Sequence, residues 1–191
     1  RRSVSGVYVP DKEMLKEILA QKKLPSEAKF PYVLQGKEIE SMERARKLSQ
    51  AVLLVGPTGI GKTMLVKHIA RTLGFPYLEV VCNKDMTDGK LRGTADIHIM
   101  PVEIDGKTDT LHIKVFIPKE VSLAGLAGQI NQPVVLFIDE LHKMREGVET
   151  ILHPLTNEMY VNLTDIIGEM VQPPKGSLVV FALNPYYEGG I

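Results

Sequence analysis

The sequence predicts an α/β fold, with helices flanking a parallel β-sheet and two β-hairpins inserted between its elements. Three observations carry that prediction. A glycine-rich loop, Gly56-Pro57-Thr58-Gly59-Ile60-Gly61-Lys62-Thr63, follows a short apolar run of strand type (51–55) and opens an apolar pattern of helical period. Two further runs, Val134-Val135-Leu136-Phe137-Ile138 and Ser177-Leu178-Val179-Val180-Phe181-Ala182-Leu183, are apolar without alternation, as strands buried on both faces are. Between them in texture lies 97–117, where Ile97, Ile99, Val102 and Ile104 lead to Asp105-Gly106, a hairpin turn signal, and Leu111, Ile113, Val115 and Ile117 return.

Taken in order, residues 1–10 read as a loose or edge-strand arm. Asp11 caps a short helix with an apolar stripe of Met14, Leu15, Ile18 and Leu19, ended by Lys22, Lys23 and Pro25. Packing on the main body explains that stripe better than a docking role. Phe30-Pro31-Tyr32-Val33 is extended because residues before proline avoid the α region. Tyr32 and Val33 could cover an adenine ring or simply join the core. Residues 37–49 form a charged helix with a thin apolar seam. After the glycine loop, Leu65, Val66, Ile69, Ala70 and Leu73 mark a helix face, and Gly74 sits where a C-cap glycine belongs. Residues 76–82 make a second strand ending in Cys82, and 83–88 begin a short helix. The first hairpin spans 97–117. Residues 122–130 are helical, 146–159 form a helix bent or restarted at Pro154, and 160–172 hold a smaller hairpin.

Composition narrows the classes. At 191 residues the chain fits one domain. Its 23 basic and 23 acidic residues balance, which argues against a strongly electrostatic nucleic-acid binder. A single cysteine, Cys82, excludes an intramolecular disulfide and suits a reducing cytoplasm. It reads as a small buried residue. No apolar run reaches the ~20 residues of a membrane span. The chain begins Arg1-Arg2-Ser3, without a signal peptide or initiator methionine, as an excised segment or a trimmed product would.

The chemistry concentrates at three strand ends. The loop fits G-x-x-x-x-G-K-[ST], which cradles a nucleotide's phosphates. Glycines let several N–H groups converge on phosphate oxygens, and the following helix turns its positive dipole end to the same anion. At ~7 % glycine, chance would produce this pattern in roughly one chain of this length in a hundred. Gly56, Pro57, Thr58, Gly59, Ile60, Gly61, Lys62, Thr63 and Met64 are therefore the candidate nucleotide-binding residues. Lys62 would place its charge at the β- and γ-phosphates, and Thr63 its hydroxyl on Mg²⁺. Asp139 and Glu140 end the 134–138 run, where open α/β sheets bind ligands. Asp139 would hold Mg²⁺, directly or through water. Glu140 would accept a proton from the attacking water or orient it. Asn184 ends the last strand and could reach the γ-phosphate or that water, or merely start a turn before Pro185. The candidate catalytic set is Glu140, Lys62 and Asn184, and the metal set is Thr63 and Asp139. His142 and His153 lack metal-ligand spacing and read as ordinary surface or core histidines.

Together these residues resemble an AAA+ ATPase, a P-loop NTPase of the MoxR group and its CbbQ/NorQ-like branch. The resemblance is carried by Val55-Gly56-Pro57-Thr58-Gly59, Cys82-Asn83-Lys84-Asp85-Met86-Thr87, Ile151-Leu152-His153-Pro154-Leu155-Thr156-Asn157 and Leu183-Asn184-Pro185-Tyr186. It runs from about residue 31 to the C-terminus. It implies 1–30 as an N-terminal arm and helix, and 31–191 as the ATPase core. It further implies a five-stranded parallel sheet, a hexameric ring, and ATP with Mg²⁺ at subunit interfaces. Hydrolysis would remodel a partner protein, often through an adaptor with a von Willebrand factor A domain. In that scheme Glu140 is the catalytic base and Asn184 is sensor 1. The family places an arginine finger, a fifth strand and a helical lid after sensor 1, but the chain stops at Ile191 with no arginine after Arg145. The fragment is therefore expected to bind ATP and hydrolyse it poorly. Its first hairpin also lacks the family's usual acidic sequence. Two rival classes are a nucleic-acid motor, which DNA or RNA would stimulate with a steep salt dependence, and an ATP-gated interaction module without turnover.

Overall fold

The structure, a computed structural model, describes residues 2–4, 6–26, 32–33 and 36–185. Strands β1 (Arg2–Val4) and β2 (Val7–Val9) form a small hairpin. Helix α1 (Lys12–Gln21) follows, capped by the Asp11 carboxylate, which accepts the Met14 N–H at 3.0 Å. Helix α2 (Glu38–Lys47) precedes strand β3 (Val52–Val55), helix α3 (Lys62–Leu73) and strand β4 (Tyr77–Val81). A short helix, α4 (Asp88–Arg92), opens the long hairpin of β5 (Gly93–Ile104) and β6 (Lys107–Pro118). Helix α5 (Glu120–Leu126) tightens into a 3₁₀ turn at Ala127–Ile130 before β7 (Val135–Asp139). Helix α6 (His153–Asn157), strand β8 (Val161–Leu163), helix α7 (Thr164–Ile167), strand β9 (Glu169–Val171) and strand β10 (Leu178–Leu183) complete the order.

The central sheet is parallel, in the order β3-β10-β7-β4. Side chains of a strand alternate between faces, and here the alternation divides one core into two. Leu78, Val80, Leu136, Ile138, Val179 and Phe181 face the side covered by α1 and α5. Tyr77, Val135, Phe137, Leu178, Val180 and Ala182 face α2 and α3. Both faces are covered, so the inner strands are apolar without alternation. Strand β3 lies at the sheet's edge among the described residues, and its Leu53 and Val55 are each 55 % exposed.

The long hairpin belongs to a second sheet, β1-β2-β6-β5, in which β2 runs parallel to β6. Asp105 and Gly106 both take positive φ, 50° and 73°, as a tight type I′ hairpin turn needs. At its base the chain has no room for a side chain: a Cβ on Gly93 would lie 2.1 Å from the Ile117 carbonyl oxygen. Next to it, the buried Arg92 guanidinium donates to the Asp88 carboxylate, to the Asn162 carbonyl, and to Asp165 Oδ1 and Oδ2 at 2.9 and 2.8 Å. One arginine thus joins the base of the first hairpin to the second, β8–β9.

Several sequence expectations change in detail. The hairpin is longer than 97–117 because pairing continues inward to Gly93↔Pro118 at its base. The N-terminal arm is a hairpin attached to β6. Residues 146–159 are not one helix: a 3₁₀ turn spans Val148–Leu152, and α6 restarts with Pro154 in its first turn, where its missing N–H costs nothing. The 160–172 hairpin carries α7 as its connection. The described residues contribute four parallel strands where the resemblance implies five. The start of the extended 30–33 stretch, Phe30 and Pro31, and Tyr186 lie outside the described residues. Among those described, no helix is long and apolar enough to cross a membrane.

Candidate nucleotide site

The site forms where β3, β7 and β10 end side by side, since parallel strands deliver their C-termini to one edge. The glycine loop leaves β3 and is tied to its neighbour by the Gly56 N–H, which donates to the Leu183 carbonyl at 3.2 Å. Gly61 has φ 93°, a conformation costly for other residues, and it turns the chain into α3. The free N–H groups at the start of α3 therefore point into the cleft. Lys62 Nζ lies over the loop and donates to the Gly56 and Pro57 carbonyls at 2.6 and 2.8 Å.

Asp139 is the last residue of β7. Its Oδ2 accepts the Thr63 hydroxyl at 3.1 Å across 76 positions of sequence, and its Oδ1 accepts the Glu140 N–H at 2.8 Å. Glu140 itself takes φ 57°, unusual for a residue with a side chain. Such a conformation costs about 1–2 kcal/mol and persists where surrounding structure holds it. A cleft of about 220 Å³ is lined by Thr58, Gly59, Gly61, Lys62, Thr63, Met64, Asp139 and Glu140. Gly56 and Pro57 contribute carbonyls just behind it. Ile60 does not line it; its side chain folds back over Gly56 and is half exposed. Asn184 reaches the loop from β10, its Nδ2 donating to Thr58 Oγ1 at 3.2 Å. Tyr32 sits beside the start of α3, its ring 5.8 Å from that of His68, while Val33 is exposed.

The sequence reading took His142 for an ordinary surface or core histidine and did not single out Lys143. His142 Nδ1 accepts the Asn184 N–H at 3.1 Å, and its Nε2 lies 3.3 Å from Glu140 Oε2. Lys143 Nζ is 2.8 Å from the same oxygen. Their only signal in the sequence was adjacency to Asp139-Glu140, because the contacts depend on the left-handed backbone of Glu140. Cys82 is buried beside this edge. Burial, with the Asp139 and Glu140 charges added, pushes its thiol up to about 12.

The loop, lysine and helix start form a cradle suited to phosphates, and Lys62 now spends its charge on carbonyls that an anion would outcompete. Thr63 Oγ1 and Asp139 Oδ2 supply two hard oxygen donors on one side of it. That set fits Mg²⁺, which takes few protein ligands and completes its shell with water and phosphate oxygens.

The model of the AAA domain family, dynein-related subfamily, matches residues 51–190. The chain belongs to this family. Its curated relatives place it in the CbbQ/NorQ-like branch of the MoxR group of AAA+ proteins. It is 30 % identical over 157 residues to Protein NorQ of Paracoccus denitrificans, covering 82 % of this chain and 52 % of that one. It is 30 % identical over 160 residues to the denitrification regulatory protein NirQ of Pseudomonas aeruginosa, covering 82 % and 54 %. Protein CbbQ of Hydrogenophilus thermoluteolus is 29 % identical over 161 residues, covering 84 % and 54 %. This AAA domain chain thus spans about half the length of the curated relatives it matches. The crystal structure of a candidate ATPase from Cytophaga hutchinsonii shares its fold, with a TM-score of 0.53 at 14 % identity, over 93 % of this chain and 44 % of that one.

Proposed function

We propose that this AAA+ chain binds ATP with Mg²⁺ and hydrolyses it, and that the cycle serves to remodel a partner protein. One observation carries the reading. The Thr63–Asp139 hydrogen bond closes 76 positions of sequence and brings the phosphate loop, the strand-end acid and Glu140 into one cleft. Bound Mg²⁺ would neutralise charge on the β- and γ-phosphate oxygens. Lys62 trades the Gly56 and Pro57 carbonyls for those oxygens. Glu140 takes a proton from the attacking water as its oxygen bonds to the γ-phosphorus, the bond to the bridging oxygen breaks and ADP departs. Asn184, already against Thr58, orients the γ-phosphoryl group or the water.

The partner reading rests on the exposed hairpin and on the relatives' names, since NirQ is named a denitrification regulatory protein. We place the ATPase core at 31–191 within a longer protein that works in the cytoplasm as a ring, with an adaptor domain presenting the partner. Steady-state ATP turnover across protein concentrations tests the enzyme reading. Turnover per subunit should rise with concentration and fall at least ~100-fold in Glu140→Gln. Turnover equal in Glu140→Gln and the wild type would sink it. Binding without turnover, in a longer chain as well, would favour an ATP-gated module.

A further inference from the structure

Building on the hydrolysis reading above, the geometry assigns a role to His142. We propose that it is a positioning residue, holding the Glu140 carboxylate in register with the strand end that carries Asn184. His142 lies in the 3₁₀ turn Leu141–Lys143 that follows the left-handed Glu140. Its ring is a bridge between two groups that never share a segment of chain. On one side Nδ1 accepts the Asn184 backbone N–H at 3.1 Å. On the other Nε2 lies 3.3 Å from Glu140 Oε2. Both side chains are largely buried, at 15 % and 19 % exposure, so water competes weakly for these contacts.

The tautomer follows from the contacts. A nitrogen that accepts an N–H cannot itself carry a proton, so in the neutral ring the proton sits on Nε2, the nitrogen nearer the carboxylate. Lys143 Nζ holds the same oxygen at 2.8 Å. Lys143 thus grips Oε2, and the His142 ring stands beside the same oxygen. The Asn184 side chain meanwhile touches Thr58 in the phosphate loop. A change at the loop that shifts Asn184 is passed by the ring to the group that deprotonates water. Partners that orient metal-ligating side chains cost roughly 10–100-fold in affinity or activity when removed, and an effect of the same order is expected here.

The test is a three-variant series on the full chain, with kcat, KM for ATP and melting temperature measured for each. His142→Asn keeps an acceptor near the Asn184 N–H but is too short to reach Glu140. His142→Gln places an amide N–H where Nε2–H was. His142→Ala loses both contacts. The expected result is a kcat loss of ~10–100-fold in the Asn and Ala variants, partial rescue by Gln, and KM and melting temperature near wild type. A His142→Asn enzyme with wild-type kcat overturns the role. So does an equal loss in all three variants, or a loss in which KM and melting temperature move with kcat, since either marks a merely structural ring. A wild type without turnover at any concentration instead sinks the hydrolysis reading, and the positioning role with it. In ¹⁵N-histidine NMR, a proton on Nδ1 of His142 overturns the assigned geometry whatever the kinetics.

Discussion

The central sheet and the long hairpin are both β-structure, yet they are held in opposite ways. Strands β7 and β10 are covered on both faces and paired on both edges, so every residue of Val135–Ile138 is fully buried. The hairpin is anchored only at its base. Val115 and Phe116 are buried there, while Ile97, Ile99, Met100, Ile104 and Leu111 stand in solvent farther out. The difference teaches where precision is needed. The site requires oxygens placed to within tenths of an ångström, and it sits at the ends of strands that cannot shift without opening the core. The hairpin needs only a firm root and can present an adaptable apolar surface.

The largest test of this contrast is Phe137→Ala, which removes a fully buried ring from the middle of the central sheet. It should cost about 3–5 kcal/mol in urea unfolding and take nucleotide binding with it. A loss below about 1 kcal/mol would mean the core collapses readily around β7. Arg92→Ala attacks the root of the hairpin. Asp88 and Asp165 are 42 % and 58 % exposed and can rehydrate, so the expected cost is only about 1–3 kcal/mol. Hydrogen exchange should speed up at 93–97 and 114–118 and stay slow in β7. Equal acceleration in both would show that the two regions unfold as one.

Ile99→Ser probes the far end of the hairpin. At 62 % exposure, its stability change should stay within about 0.5 kcal/mol. A larger loss would reveal that its face is covered in solution. The smallest effect near neutrality belongs to Cys82. Its folded thiol titrates near 12, against about 8.5 for an ordinary thiol, so above that lower value the unfolded chain gives up a proton the folded one keeps. This contribution is intact below pH ~8.5 and is lost as pH rises toward 12. Urea midpoints at pH 7 and pH 10 should therefore diverge more in the wild type than in Cys82→Ala.

Much of this was legible in the chain because it rests on local rules. The glycine loop, the acids after an apolar run, and Asp105-Gly106 between alternating residues each announce their element within a dozen positions. The Asp11 cap and Gly74 at the end of α3 did the same. Less legible were the 3₁₀ turn at 148–152, where no strong period exists to read, and the inward extent of the hairpin, set by pairing rather than by pattern.

By itself, then, the sequence determined the α/β class, the phosphate loop and which acids end β7, since a residue's own conformation and its near neighbours suffice for those. Only the tertiary structure decided that Arg92 joins two hairpins 70 positions apart, that Thr63 meets Asp139, and that His142 stands between Glu140 and Asn184. Such contacts depend on which strands lie side by side in the sheet. Strand order follows from burying both faces at once, and no stretch of sequence carries it alone.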